Sequence, residues 1–382
     1  MLRPTYLGVD LGAITHNVAA LRALAGTREF CAVVKADGYG HGAVAVARAA
    51  QRGGAGWLAV ALVDEAVALR EAGIRGPILL LSEPAVGSEH EVVANDLVPT
   101  VYSASCIARL SRAVLTAGGP ALPVHLKVDT GMHRVGAQPS EMLALAGLVE
   151  DDPSLVLGAL CTHLAVADAP DDPYTVHQLA VLDETLRALS NAGIHPPMVH
   201  AANSAGTLAH PGARRDMVRC GIAIYGQDPD LGLAASSYGV DLRTALRLVS
   251  VVSHVKVVGA GERISYGLRH RFAVDSWVAT IPIGYADGVP RRLSSVGAEV
   301  LIGGHRHRMV GRVTMDQLLV DCGPADSDSA PVEPGEEAVL LGTQGNETVS
   351  AWEWAARLDT IAYEITCGIS GRVPRVHREG PS

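Results

Sequence analysis

Long apolar runs are missing from this 382-residue sequence. Nowhere do about 18 hydrophobic residues follow one another, which argues against a transmembrane helix. The opening stretch MLRPTYLGVD lacks the apolar core of a secretory signal peptide, so a cytosolic address is expected. Runs of five or more like charges are also missing, and with them the acidic tail or polybasic patch they would signal. The formal net charge of -9 argues against nucleic acid as a partner. Cys31, Cys106, Cys161, Cys220, Cys322 and Cys367 are far apart with no CxxC pair, which disfavours a zinc cage and does not require a disulfide framework; buried thiols are expected. Low-complexity tracts and fixed-period repeats are absent as well. What remains is the profile of a globular protein that handles a small molecule.

With 48% hydrophobic and 19% charged residues the chain has ample apolar surface for a core, and its length suits two domains or one large domain with an addition. Short apolar runs bounded by turn residues end near Lys35, Ala61, Leu81, Tyr102, Asp129, His163, Asn203 and Gly226. Amphipathic stretches lie between them, clearest in HGAVAVARAAQR, DEAVALREAG, SASCIARLSRAVLTAG, PSEMLALAGLVED and YTVHQLAVLDETLRALSNAG, and weak after Ser82 and Asn203. Strand-then-helix units repeated in this way predict a parallel sheet closed into a (β/α)8 TIM-type barrel, preceded by the helix ITHNVAALRALAG. From Leu242 the pattern changes to LRLVSVVSHVKVV, SWVATIPIG, AEVLIGG, HRMVGRV, QLLVDC and EEAVLLG, with one late helix, SAWEWAARL. A barrel over residues 1–241 and a mostly β domain over 242–382 follow, with the first few residues free to join the β domain.

In such barrels the strand ends carry the chemistry. The stretch EFCAVVKADGYGHG delivers Lys35 from a buried strand into a glycine-broken loop. Taken alone, a lysine snorkelling from a strand end explains this. The other ends add Asp129 through Arg134 in KVDTGMHRVG, His163, Asn203 with Ser204, and Arg219 with Gly221. AANSAGTL and RCGIAIYG suit a phosphate site after the last two strands. An amine and a phosphate cradle at one mouth point to pyridoxal 5'-phosphate. A sugar-phosphate aldolase would explain the barrel but leave the β domain without a role. HRHR at 305–308 reads as a solvated basic turn, and no metal is expected.

The motifs AVVKADGYGHG, KVDTGMHRVG, THLAVAD, HAANSAGTL, RCGIAIYG, ISYG, PIGYADG, GRVTMDQ and YEITCGISGRVPR, in this order from Lys35 to Arg375, resemble those of the alanine racemase family. The resemblance implies a pyridoxal-phosphate enzyme that interconverts L- and D-alanine with two bases, supplying D-alanine for peptidoglycan. It implies Lys35 as the Schiff-base lysine and one base, and Tyr266 as the other. It places Tyr39, Ser204, Gly221, Ile222 and Tyr363 around the phosphate, Arg219 at the pyridine nitrogen and His163 beside the ring. Arg134 and Met315 would meet the substrate, Tyr285 would stand at the entrance, and Lys127 resembles a lysine that can be carbamylated to anchor Arg134. It further implies a homodimer in which Tyr266, Tyr285 and Met315 reach the partner's barrel mouth.

Two bases on opposite faces of a planar cofactor are the simplest way to invert a stereocentre. Free lysine and tyrosine have pKa values near 10, so each needs a positive or desolvating neighbour to act near neutrality. An arginine at the ring nitrogen cannot readily give up a proton, which weakens the electron sink and favours prompt reprotonation. A decarboxylase would be expected to place a carboxylate there. A serine or broad-range racemase is the nearest rival, and a non-catalytic cofactor carrier the rival from another class; the first is opposed by two phenols at the pocket, the second by the β domain. Lys127 could instead pair with a carboxylate such as Asp129. His133 and Thr314 depart from the family pattern, which bears on the fine positioning of Arg134 and hence on substrate range or rate.

Overall fold

A computed structural model describes residues 3–326 and 330–380. The described residues fall into two compact units, one of residues 13–38 and 42–243, the other of residues 3–12, 39–41, 244–326 and 330–380.

The first strand, β1 (Tyr6–Asp10), belongs to the second unit, and the next eight build the first: β2 (Glu29–Val33), β3 (Trp57–Val60), β4 (Ile78–Leu80), β5 (Leu97–Val101), β6 (Leu122–Lys127), β7 (Leu155–Cys161), β8 (Val199–His200) and β9 (Met217–Cys220). They pair in parallel in the order β8-β7-β6-β5-β4-β3-β2-β9. The barrel is closed between its ends by single bonds, Asp216 N–H to Val199 O and Arg219 N–H to Ala202 O, both 3.0 Å. This is the expected barrel. Its strands are buried on both faces, as in β4 and β5, because helices cover the outside.

Helices Ala43–Arg52, Val63–Glu71, Ala104–Ala117, Met142–Glu150 and Tyr174–Asn191 lie where the amphipathic stretches predict them. The two weak segments give short helices, Glu89–Ala94 and Ser204–Ala209. The eighth strand ends at Cys220 rather than near Gly226, because Ile222–Tyr225 forms a 3-10 turn closed by left-handed Gly226.

In the second unit a sheet runs in the order β11-β14-β17-β16-β15-β18-β10-β1-β20, where β10 is Leu246–Val251, β11 His254–Val258, β14 Ser276–Ile281, β15 Glu299–Ile302, β16 His305–Val310, β17 Leu318–Pro324, β18 Glu337–Gln344 and β20 Arg375–Arg378. β1 thus pairs antiparallel with β10 and parallel with β20. β19 (Glu347–Val349) pairs with β18, and β12 (Arg263–Ile264) with β13 (His270–Arg271) in a separate hairpin. The core gathers Leu7, Leu248, Ile281, Val300, Leu340 and Trp354, all essentially inaccessible. HRHR is strand rather than turn: it lies in β16, and Arg306 is drawn onto Glu299, Glu347 and Glu353 at 2.7–3.1 Å. Among the described residues the cysteines are unbridged thiols, five buried and Cys367 exposed. No helix among the described residues is long and apolar enough to cross a membrane.

Candidate active site

Lys35 follows β2 directly, and the backbone then reverses its hand. Ala36 (φ 54°, ψ 51°), Asp37 (φ 51°, ψ 48°) and Gly38 (φ 62°, ψ 46°) are all left-handed, and Tyr39 continues at φ 52°. Left-handed geometry costs an L-residue about 1–2 kcal/mol because Cβ crowds the following carbonyl. The turn persists because its backbone is tied from several directions. Gly38 N–H bonds to Val34 O at 2.9 Å and Gly42 N–H to Asp37 O at 2.8 Å. The Asp37 carboxylate accepts from Ala43 N–H at 2.8 Å, and Glu65 accepts from Ala36 N–H at 2.5 Å.

On the strand paired with β2, Arg219 of β9 is buried inside a shell of neutral partners. It donates to the carbonyls of Thr162 and Ala201 at 2.8 and 2.9 Å, to His163 Nδ1 at 3.3 Å and to His200 Nδ1 at 2.5 Å. Among the described residues no carboxylate pairs with it, and its Nε–H has no partner. Burial pushes its pKa down from the usual value, and it pushes the neighbouring Cys31 and Cys220 thiols up to about 12, so these stay uncharged. A buried cation without a counter-ion is costly unless a ligand supplies the missing charge or acceptor.

His163, His200 and His125 are neutral for the same reason. Burial first, and then the Arg219 charge, pushes His125 down to about 3 and the other two well below the usual histidine range. His200 donates onward from Nε2 to His125 Nδ1 at 2.9 Å. His125 lies outside the sequence motifs, and His200, although it opens HAANSAGTL, is given no role by that motif.

Ser204, 3% exposed, accepts from Gly221 N–H at 2.9 Å and Ala223 N–H at 3.4 Å. Its own hydroxyl proton is left to donate elsewhere, and among the described residues the buried Ile222 N–H finds no acceptor. These donors suit an oxyanion such as a phosphate.

Lys127 ends β6 and is 8% exposed. It does not pair with Asp129; its hydrogen bond goes to Leu81 O at 3.4 Å. Burial, then the Arg219 and Arg134 charges against an opposing pull from Cys161 and Asp129, leaves its pKa lowered. Asp129 is instead turned onto its own loop, accepting from Gly131 N–H, His133 N–H and His133 Nδ1 at 3.0–3.1 Å. His133 therefore braces the loop: its backbone is left-handed (φ 56°) and its ring binds the carboxylate that organises the turn. Arg134, next in the chain, is exposed and makes no hydrogen bond among the described residues.

Gln178, fully buried on the Tyr174–Asn191 helix, ties this loop to the next. It donates to Thr130 Oγ1 at 3.1 Å and His163 O at 3.0 Å, and accepts from Ala165 N–H at 2.8 Å. Nothing in the motif pattern singles it out.

In the second unit Tyr39 and Tyr363 stand with ring centroids 6.0 Å apart. Gly40 is required beside them, since a Cβ there would lie 2.3 Å from Thr366 O. Tyr266 lies in the connection between β12 and β13. Tyr285 and Met315 occupy two loops bonded to each other, Tyr285 N–H to Thr314 O at 2.9 Å and Ala286 N–H to Met315 O at 3.1 Å. Thr314 closes its turn through its hydroxyl, donating to Gln317 O at 2.8 Å and accepting from Gln317 N–H at 3.1 Å. Beneath Tyr285, the inaccessible Asp287 is gripped by two Arg3 nitrogens at 2.7 and 2.6 Å.

The family models for the alanine racemase N-terminal and C-terminal domains match residues 9–229 and 245–377. An alanine racemase of Symbiobacterium thermophilum is 46% identical over 376 residues, 98% of this chain and 97% of that one. One of Sorangium cellulosum is 42% identical over 388 residues, covering 99% and 100%. Among solved structures, the alanine racemase from D-cycloserine producing Streptomyces lavendulae superposes with a TM-score of 0.91 at 38% identity, covering 99% of this chain and 98% of that one. That from E. faecalis gives 0.90 at 39% identity, covering 99% of each.

Proposed function

The chain belongs to the alanine racemase family, and on that premise we propose that it interconverts L- and D-alanine with pyridoxal 5'-phosphate, Lys35 and Tyr266 being the two proton-transfer groups. The observation that carries this reading is Arg219, a buried guanidinium with an open Nε–H and, among the described residues, no carboxylate beside it.

When bound, pyridoxal phosphate supplies a carbonyl carbon that captures amines and a conjugated ring that takes up electrons from a breaking Cα–H bond. Lys35 is its attachment point. Ser204, Gly221 and Ile222, with Tyr39 and Tyr363, would hold the phosphate, the Ser204 hydroxyl and the Ile222 amide as donors. Arg219 would offer its Nε–H to the ring nitrogen and keep that proton, because guanidinium does not readily give it up. His163, held neutral, would lie beside the ring.

Lys35 Nζ removes the α-proton from one enantiomer while Tyr266 Oη delivers a proton to the opposite face. The reverse reaction exchanges the roles, so each turnover takes and returns one proton. Arg134 and Met315 orient the substrate and Tyr285 narrows the approach. Lys127, buried and with a lowered pKa, is suited to capture carbon dioxide as its neutral amine; the resulting anionic carbamate would draw in Arg134.

Two copies complete the arrangement, Tyr266, Tyr285 and Met315 acting at the barrel mouth of the partner. In support, these residues are 72%, 42% and 52% exposed in the single chain. A cytoplasmic enzyme making D-alanine for peptidoglycan fits this chemistry. The test is the decay of circular dichroism from L-alanine, with L-serine alongside, in cofactor-loaded protein. Rapid decay for alanine and slow decay for serine is expected. Cofactor binding with no decay for either would favour a carrier instead.

A further inference from the structure

We propose that Glu65 is the positioning residue for Lys35. The proposal rests on Lys35 being the cofactor-bearing lysine.

Glu65 is the third residue of the Val63–Glu71 helix, and its carboxylate caps that helix by accepting from Ala61 N–H at 2.9 Å and Leu62 N–H at 3.1 Å, both through Oε2. Capping accounts for that oxygen alone. The other oxygen, Oε1, accepts from Ala36 N–H at 2.5 Å, in the loop after a different strand. One carboxylate therefore joins the ends of β2 and β3, and the bonds from its ionised oxygens are of the stronger, charge-assisted kind.

The residues on either side of Lys35 show what this achieves. Val34 N–H is held by Ala59 O at 2.8 Å, tying the end of β2 to β3. Ala36 N–H is held by Glu65 at 2.5 Å. Lys35 sits between two anchored peptides at the point where the backbone passes from extended strand to left-handed turn. Without Glu65 the tie nearest to Lys35 on its C-terminal side is lost, and although the bonds at Gly38, Gly42 and Asp37 remain, Ala36 is freer to leave a conformation that L-residues disfavour. The lysine's Cα–Cβ direction would then be free to swing. Glu65 touches neither substrate nor cofactor in this account; it acts through the backbone.

Glu65→Gln separates the two oxygens chemically. Its carbonyl can still accept from one loop, but its NH2 must face a backbone donor of the other. The full chain is loaded with pyridoxal phosphate, and kcat per loaded site, KM and the exchange rate of the Ala36 amide are measured. Separately, the rate of cofactor attachment at Lys35 is read by borohydride trapping and peptide mapping. A fall in kcat per loaded site of about ten- to a hundred-fold with KM little changed, faster Ala36 exchange and slower trapping are expected, since small displacements of a reacting group cost this much. Adding Ala36→Gly should restore part of the lost kcat, because glycine adopts the left-handed conformation without steric cost. A merely structural role would lower thermal stability and leave kcat per loaded site within about two-fold of the parent; that result overturns the proposal. Should the parent chain take the cofactor at Lys35 yet not racemise alanine, the functional reading fails. The trapping rate then decides alone, slower attachment in Glu65→Gln supporting the role of Glu65 and an equal rate overturning it.

Discussion

Arg219 donates to Nδ1 of His200 across 2.5 Å, and this single bond fixes the protonation of two histidines. Arginine has no acceptor, so the proton of neutral His200 resides on Nε2. There it is donated to His125 Nδ1 at 2.9 Å, which leaves the His125 proton on Nε2. The guanidinium is thus backed by a chain of oriented, uncharged rings rather than by an acid.

Acid should weaken the fold in a defined window. His125, His163 and His200 are held neutral when folded, with pKa values below the ordinary 6.5, and take up protons near that value once unfolded. Their contribution is complete above pH 6.5 and is lost as pH falls from there toward the folded values. The slope is up to about 1.4 kcal/mol per pH unit per histidine. Urea midpoints recorded from about pH 7.5 down to 5 should decline steadily, and His200→Phe should flatten part of the decline. Midpoints independent of pH across that span would mean the rings are charged in the folded state.

Arg3→Ala should loosen the loops that carry Tyr285 and Met315. Burial alone would raise the Asp287 carboxyl; the Arg3 hydrogen bonds, the Gly284 amide and the charges of Arg3 and Arg372 outweigh it and hold the pKa low. Removing Arg3 leaves a buried carboxylate with reduced compensation, costing roughly 1–3 kcal/mol since Arg3 is itself partly solvated. KM for alanine should rise more than kcat falls. An unchanged melting curve together with unchanged kinetics would dismiss the contact as incidental.

Tyr266→Phe should lose about 10²–10⁴-fold in racemisation, the usual worth of a positioned acid or base, while keeping its cofactor absorbance. Mixing this variant with Lys35→Ala tests where Tyr266 acts. If it serves the partner's site, random re-pairing of the two inactive chains returns about a quarter of parental activity, because half the dimers are mixed and each has one intact site. Recovery of none would place both groups in one chain.

Lys127 should gain the mass of one carbon dioxide in bicarbonate buffer and lose it on acidification. Its lowered pKa supplies the neutral amine that carbamate formation needs. Exhaustive removal of carbon dioxide should slow racemisation and raise KM through Arg134. An intact mass identical in both buffers, read under native conditions at neutral pH, would leave Lys127 as a plain buried amine.

The barrel was legible because each of its strands is a short apolar run cut off by turn residues, and five of its helices keep a regular apolar stripe. The eighth strand was misjudged at its end since RCGIAIYG is apolar throughout, and such a run does not distinguish strand from 3-10 turn. HRHR was misjudged for the opposite reason: its charges look solvated, but Arg306 is spread over three glutamates that are remote in sequence. The motif residues at the strand ends could be named as candidates from sequence, whereas Glu65, His125 and Gln178 could not, and His200 was present in HAANSAGTL without a role. Their roles depend on neighbours brought close by strand register and helix rotation, and neither is written in a local pattern.

The turn after Lys35 also has a stereochemical reading. A ribosome offers it only L-residues and glycine, and the positions at Ala36, Asp37 and Tyr39 are filled by L-residues held in the mirror-image basin. A D-residue would rest there without strain. At position 36 the side chain is a single methyl group, so the unstrained replacement is D-alanine itself: the compound assigned to this protein as product is the enantiomer its own backbone would accept more readily than the one it was built with.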